Sequence, residues 1–168
     1  MSDFTIRQYK VRDLEACRAL WVELTDQHRK VYADPTVGGE RPGLNFDPVL
    51  ERMGAERLWV ADDGGRLVGM VGMLDDGENA EVDPLVVAAS RRWRGLGRML
   101  VEHVLAEARR RGMKFLSVKP IARNAEAFRF YHHVGFRILG NVELFIDLEK
   151  GEEAWAPGPE LFNLRWFY

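Results

Sequence analysis

Between residues 80 and 112 the chain passes from an alternating apolar stretch, AEVDPLVVA, through SRRWRGLGR into apolar positions at helical spacing. No other part constrains the fold as much. Pro84 has no N–H to give a ladder, so the strand over 81–87 is expected to be bulged or unpaired there. Leu100, Val101, Val104, Leu105 and Ala108 then share one face of a helix running from Leu96 to the arginines at 109–111, and Gly112 suits its end. A loop between such a strand and helix has two readings. It is a solvated arginine turn, or it is an anion cradle in which unpartnered amides and the helix dipole meet a phosphate while Arg91, Arg92 and Arg94 add charge. Any such attraction must be local, because 24 basic and 26 acidic residues leave a formal net charge of −2. That balance offers no global field for nucleic acid or an anionic membrane.

The 168 residues suit one domain over 1–168 with a single core. FTIRQY alternates as a first strand, and Asp13 is placed to cap a helix carrying Leu14, Cys17, Leu20, Trp21 and Leu24. Cys17, the one cysteine, reads as a buried inert thiol. Residues 33–48 are rich in proline and glycine and read as a surface loop, with a short helix from Pro48 to Met53. RLWVADD and RLVGMVGMLDD flank DDGG as a hairpin, to which 81–87 adds a third strand. KFLSVKPI is expected to run parallel to 81–87, since a whole helix separates the two. Asn124 is placed to cap a helix ending at Gly135. FRILGNVELFIDLE is expected as a strand, paired with the aromatic end LFNLRWFY. With no long apolar span and no secretory leader pattern in MSDFTIRQYK, a cytoplasmic location and no membrane partner are expected.

Two common phosphate loops do not fit. The nucleoside-triphosphate loop needs a Gly-Lys pair, which is absent, and the dinucleotide fingerprint needs glycine where Leu100 stands. LVVAASRRWRGLGRML instead resembles the coenzyme-binding motif of the GNAT superfamily of N-acetyltransferases, Gln/Arg-x-x-Gly-x-Gly/Ala, with Arg92, Gly95 and Gly97 at its defining positions. NAEAFRFYHHVGF is similar to the family's second coenzyme segment, through Asn124, Ala127, Phe130, Tyr131, Gly135 and Phe136. The two motifs span residues 81–136, and Ala89 stands where the family commonly has proline. The resemblance implies a mixed α+β fold: a central, mostly antiparallel sheet with a splayed parallel strand pair and helices on both faces.

It further implies acetyl-coenzyme A as cosubstrate, held by the amides of Arg92, Trp93, Arg94, Gly95, Leu96, Gly97 and Arg98, with its pantetheine arm between strands 81–87 and 115–119. Backbone at Leu85, Val86 and Val87 would then bind the thioester carbonyl and the oxyanion formed on attack. Asn124 and Ala127 are implied contacts of the arm, Asn124 serving equally as a helix cap. Tyr131 matches the family's acid, since a phenol of pKa ~10 can protonate a thiolate whose acid lies near ~8.5; taken alone it reads as core packing. Glu81 stands where family members carry a glutamate base. Simple alternation would set Glu81 and Asp83 on one face with Leu85 and Val87, where these carboxylates act as base, bind a cationic acceptor or merely face solvent. A GNAT-like module that binds coenzyme without catalysis is the alternative to an enzyme. No Cys, His or Asp grouping has metal-ligand spacing, and Ser90 and Ser117 lack a nucleophile-elbow setting. The acceptor is expected to be an amine on a small molecule or protein, not nucleic acid. Its walls are expected in 33–48, the acidic turn at Asp75, Asp76 and Glu78, and the tail. Trp155, Trp166, Phe167 and Tyr168 suggest either core or a homodimer patch.

Overall fold

The computed structural model describes residues 4–151, 154–161 and 164–167, in two compact units, Met1–Lys119 and Pro120–Tyr168. The first unit contains β1 (Thr5–Gln8), α1 (Leu14–Tyr32), α2 (Phe46–Met53), β2 (Leu58–Asp63), β3 (Arg66–Asp75), β4 (Ala80–Val87), α3 (Leu96–Arg110) and β5 (Leu116–Ser117). Its sheet has the order β1-β2-β3-β4-β5, antiparallel except for the parallel pair β4–β5. This is the expected mixed α+β arrangement.

Helices cover both faces because alternate strand residues point to opposite sides. Leu58, Val60 and Met70 pack with Cys17 and Leu20 of α1 and with Phe46 and Met53 of α2. Trp59, between two of these, instead sets its ring 5.1 Å from His103 of α3. Phe46, Met53, Leu58, Met70 and Leu100 retain no exposed area, and burial of each is worth about 1.5–3 kcal/mol. Cys17 is fully buried, which pushes its thiol up to about 12.

Asp13 stands at the α1 N-cap, but its carboxylate does not bond the helix amides. It accepts from Arg7 at 2.7 and 2.9 Å and from the Lys10 amide at 2.8 Å, while Arg7 Nε reaches Asp62 at 2.9 Å. One guanidinium thus ties β1, the entry to α1 and the end of β2, and holds the Asp13 carboxyl below the usual carboxylate range. Helix α2 begins at Phe46, earlier than expected, because a first-turn proline loses no helical hydrogen bond.

The pairing of β3 with β4 slips beside Pro84. Val71 faces Leu85 and Met73 faces Val82, so Asp83 and Pro84 together oppose Gly72. A side chain at Gly72 would meet Met53 Sδ, the Asp83 carbonyl at 2.5 Å and Pro84 Cδ at 2.9 Å. The slip corrects the facing expected from simple alternation. Glu81 lies opposite Leu74, which packs on the core under α1 and α2, and Asp83 pairs with Arg52 of α2. Val87 lies opposite Gly69, whose missing side chain is replaced by Leu96 and Leu100 of α3. Glu81 and Asp83 therefore occupy the α1/α2 face, whereas Leu85 and Val87 occupy the α3 face.

In the second unit, α4 (Ala125–Val134) begins at Asn124, whose side chain accepts from the Ala127 amide at 3.0 Å, and ends at Gly135. The strand expected over 136–149 is not formed: Ile138, Leu144 and Ile146 are exposed and the segment has no ladder partner among the described residues. The tail strand β7 (Leu164–Phe167) pairs with β6 (Pro157–Leu161) instead. Alternation predicts a shared face, not a partner, and a hairpin closed by two intervening residues costs the least loop entropy. Trp155 donates to Asp147 at 3.0 Å and rings with Phe145 at 5.1 Å. The side chains of Trp166 and Phe167, and all of Tyr168, lie outside the described residues. No described helix is long and apolar enough to cross a membrane.

Two outcomes follow for stability. Gly72→Ala is expected to cost about 1–3 kcal/mol by overpacking against a carbonyl that cannot move freely, read as a lower denaturant midpoint at unchanged m. Burial holds His28 and His103 below their ordinary value of 6.5. The folded chain therefore binds fewer protons than the unfolded one below 6.5, so this stability is complete above 6.5 and is lost as pH falls toward the folded-state values. Thermal melts across that window are expected to drop, and His103→Gln to flatten part of the slope.

Candidate active site

Beyond the slip, β4 has an open edge. The Ala88 amide donates to Val68 at 2.9 Å, so in an antiparallel ladder the groups of Val86 also face β3, while those of Leu85 and Val87 face away. On that outer side β5 pairs only through Ala80 with Leu116 and Glu81 with Ser117. The N–H groups of Leu85 and Val87 thus line a splay between two parallel strands. The Val87 carbonyl on the same edge accepts from Arg92 Nε at 3.1 Å, folding that side chain back along the strand end.

The loop that follows carries Trp93 at φ 63° and Gly95 at φ 81°, and α3 starts at Leu96. An aromatic residue in the left-handed region is costly, and here its indole is 85% exposed. The first amide of this stretch to bond back is that of Met99, to the Gly95 carbonyl at 3.1 Å. Among the described residues, the amides of 92–98 donate to no protein acceptor, which is the donor set a diphosphate requires. The arginines are unequal. Arg91 is engaged by Asp63, Arg98 pairs with Glu102 at 2.7 Å, and Arg94 is exposed.

Glu81 and Asp83 sit beside this splay on the α1/α2 face, each with a cation that sequence spacing did not suggest. Lys119 Nζ lies 2.5 Å from Glu81 Oε2, and Arg52 reaches Asp83 at 3.4 Å. Both partners come from elements distant in sequence, so no local pattern could have revealed them. Burial first, and then the charge of Glu81, raise the Asp83 carboxyl above its ordinary value. Tyr131, Asn124 and Ala127 belong to the second unit. There Tyr131 is half-buried, with ring contacts to Phe130 at 5.1 Å and Phe136 at 5.6 Å.

The other acidic residues singled out have structural partners. Asp75 is held by Arg57 at 2.8 Å, Asp76 accepts from the Glu78 and Asn79 amides, and Glu78 pairs with Lys114. The 33–48 loop is tied to α1 by Arg29, which donates to the Val37 and Gly39 carbonyls at 2.9 Å. Among the described residues, no group of three or more His, Cys, Asp or Glu is placed to hold a metal ion.

The family model for the acetyltransferase (GNAT) family matches residues 15–136. Among solved structures, Ard1 from Thermoplasma volcanium is 24% identical, with a TM-score of 0.65 over 82% of this chain and 85% of that one. A GNAT-family acetyltransferase from Staphylococcus aureus MU50 is 16% identical, with a TM-score of 0.66 over 88% of this chain and 95% of that one. The aminoglycoside N-acetyltransferase AAC(6')-Iy, solved with the bisubstrate analog CoA-S-monomethyl-acetylneamine, is 18% identical, with a TM-score of 0.61 over 86% of this chain and 97% of that one. No curated protein sequence matches the chain. With the family model covering the splayed strands, the amide-rich loop and the α4 segment together, the chain belongs to the acetyltransferase (GNAT) family.

Proposed function

We propose that the protein transfers the acetyl group of acetyl-coenzyme A to a primary amine, by direct attack of the amine on the thioester in a ternary complex. One observation carries this reading: β4 presents outward N–H groups at Leu85 and Val87, and the loop that follows holds the amides of 92–98, which have no protein acceptor among the described residues. Diphosphate on Arg92–Arg98 would set the pantetheine arm along the splay and bring the thioester oxygen to Leu85 or Val87 N–H. A negative charge grows on that oxygen during attack, so a fixed N–H dipole there stabilises the transition state more than the ground state. Trp93 offers its exposed indole to the coenzyme's adenine, a second π face.

The acceptor must lose a proton and the departing sulfur must gain one. Holding a lysine-like amine neutral at pH 7 costs about 4.6 kcal/mol, which a nearby carboxylate or water relay can meet in part. Glu81 takes this role through water, and Asp83 beside it favours a cationic acceptor. Tyr131, with Asn124 and Ala127 in the same segment, is assigned as acid by its motif. The family match runs across both compact units, which supports their acting as one domain. The likeness to an aminoglycoside acetyltransferase favours a small-molecule amine over a protein.

Calorimetry with coenzyme A is expected to give saturable heat, weakened about tenfold or more in Gly95→Val, because a β-branched residue resists the left-handed conformation by about 1–2 kcal/mol. No binding by the unaltered chain would end the proposal. Free-thiol release across an amine panel is expected to reveal turnover, reduced about 100-fold in Tyr131→Phe. Binding without turnover on any amine would mark a coenzyme-binding module, and unchanged turnover in Tyr131→Phe would remove that residue from the mechanism.

A further inference from the structure

At the splay the chain already holds an amine where an acceptor is needed. Lys119 lies two residues past Ser117, the last β5 residue paired with β4, and so is as far along the strand direction as Asp83 is past Glu81. Its Nζ is 2.5 Å from Glu81 Oε2, and its side chain is 78% exposed. Leu85, with its outward N–H, lies about 7 Å further along β4 at ~3.3 Å per residue, a distance that a flexible four-carbon stem can cover by rotating. The other cation at the carboxylate pair, Arg52, stays charged and is a poor nucleophile. Lys114 shares the ion-paired state, with Glu78, but precedes the β4–β5 ladder and faces no outward N–H of Leu85 or Val87.

We infer that Lys119 is a self-acetylation site: the chain acetylates this side chain in cis from its own acetyl-coenzyme A, an inference that rests on the proposed function. The Nζ ammonium first gives a proton to Glu81 or water. The neutral amine attacks the thioester carbon, a C–N bond forms, and the C–S bond breaks. The second proton leaves nitrogen and ends on the coenzyme sulfur, giving an amide and free thiol with no oxidant or reductant. The product loses its positive charge, so the Glu81 carboxylate is released from its ion pair.

The test incubates the purified full chain with acetyl-coenzyme A and follows intact mass and peptide mapping. The expected result is one acetyl group on Lys119, added with a first-order rate independent of protein concentration and about tenfold or more faster than at Lys10, Lys30, Lys114 or Lys150. Lys119→Arg is expected to abolish that label without raising another, with melting temperature as its folding control, and Glu81→Gln to slow it about tenfold or more. Equal rates at Lys114 and Lys119 would overturn the inference as simple chemical acetylation, and a rate rising with protein concentration would overturn action in cis. Turnover on an added amine with Lys119 unlabelled would overturn it while leaving the acetyltransferase reading intact. Absence of coenzyme binding would remove both.

Discussion

The fold of the first unit turns on one steric fact, that Asp83 and Pro84 must share a single opposing residue on β3. Only a position without a side chain can accept them, and Gly72 is wedged between their backbone and Met53 of α2. From this slip come three consequences. The carboxylates before it face α1 and α2, the residues after it face α3, and the outer edge of β4 is left with N–H groups that β5 does not use. A regular ladder would have produced none of these together.

Charge in this protein is organised by neighbours and not by a net field. Arg7 links three elements through two aspartates, Arg18 fastens α1 to Asp47 of α2 at 2.5 and 2.9 Å, and Arg91 is bound by Asp63. What remains at the start of α3 is backbone: a set of amides whose partial charges are oriented by the helix and by Gly95 in its left-handed conformation. Such dipoles are fixed in place by the fold, so they meet an anion with little reorganisation. The arginines around them are partly engaged elsewhere, and their number in the sequence overstates the charge available at the loop.

The carboxylate pair shows the same economy in a different form. Glu81 and Asp83 are close enough for one to raise the other's proton affinity, yet each also meets a cation from a remote element. Any further cation brought to this pair would meet like charge already in place and would compete with Lys119 and Arg52.

The hairpin, the helix after the glycine-arginine loop, the Asn124 cap and the break at Pro84 were all legible in the sequence, because each depends on neighbours within a few residues. Helical spacing placed Cys17 and Leu20 in the core, and the spacing of Arg92, Gly95 and Gly97 located the loop. What sequence could not decide was anything set by a partner far along the chain. Alternation across Pro84 suggested one face for Glu81 and Leu85, but the slip against Gly72 reversed it. The apolar alternation over 136–149 has no ladder partner among the described residues, because 157–161 is a nearer one for the tail. Lys119 and Arg52 carry no local signal of the carboxylates they meet. The sequence alone determined which residues can form strands, turns and caps, since those rest on steric and hydrogen-bonding preferences within a turn or two. Tertiary structure alone decided which face and which partner each received, since register is a property of two strands and of no single one.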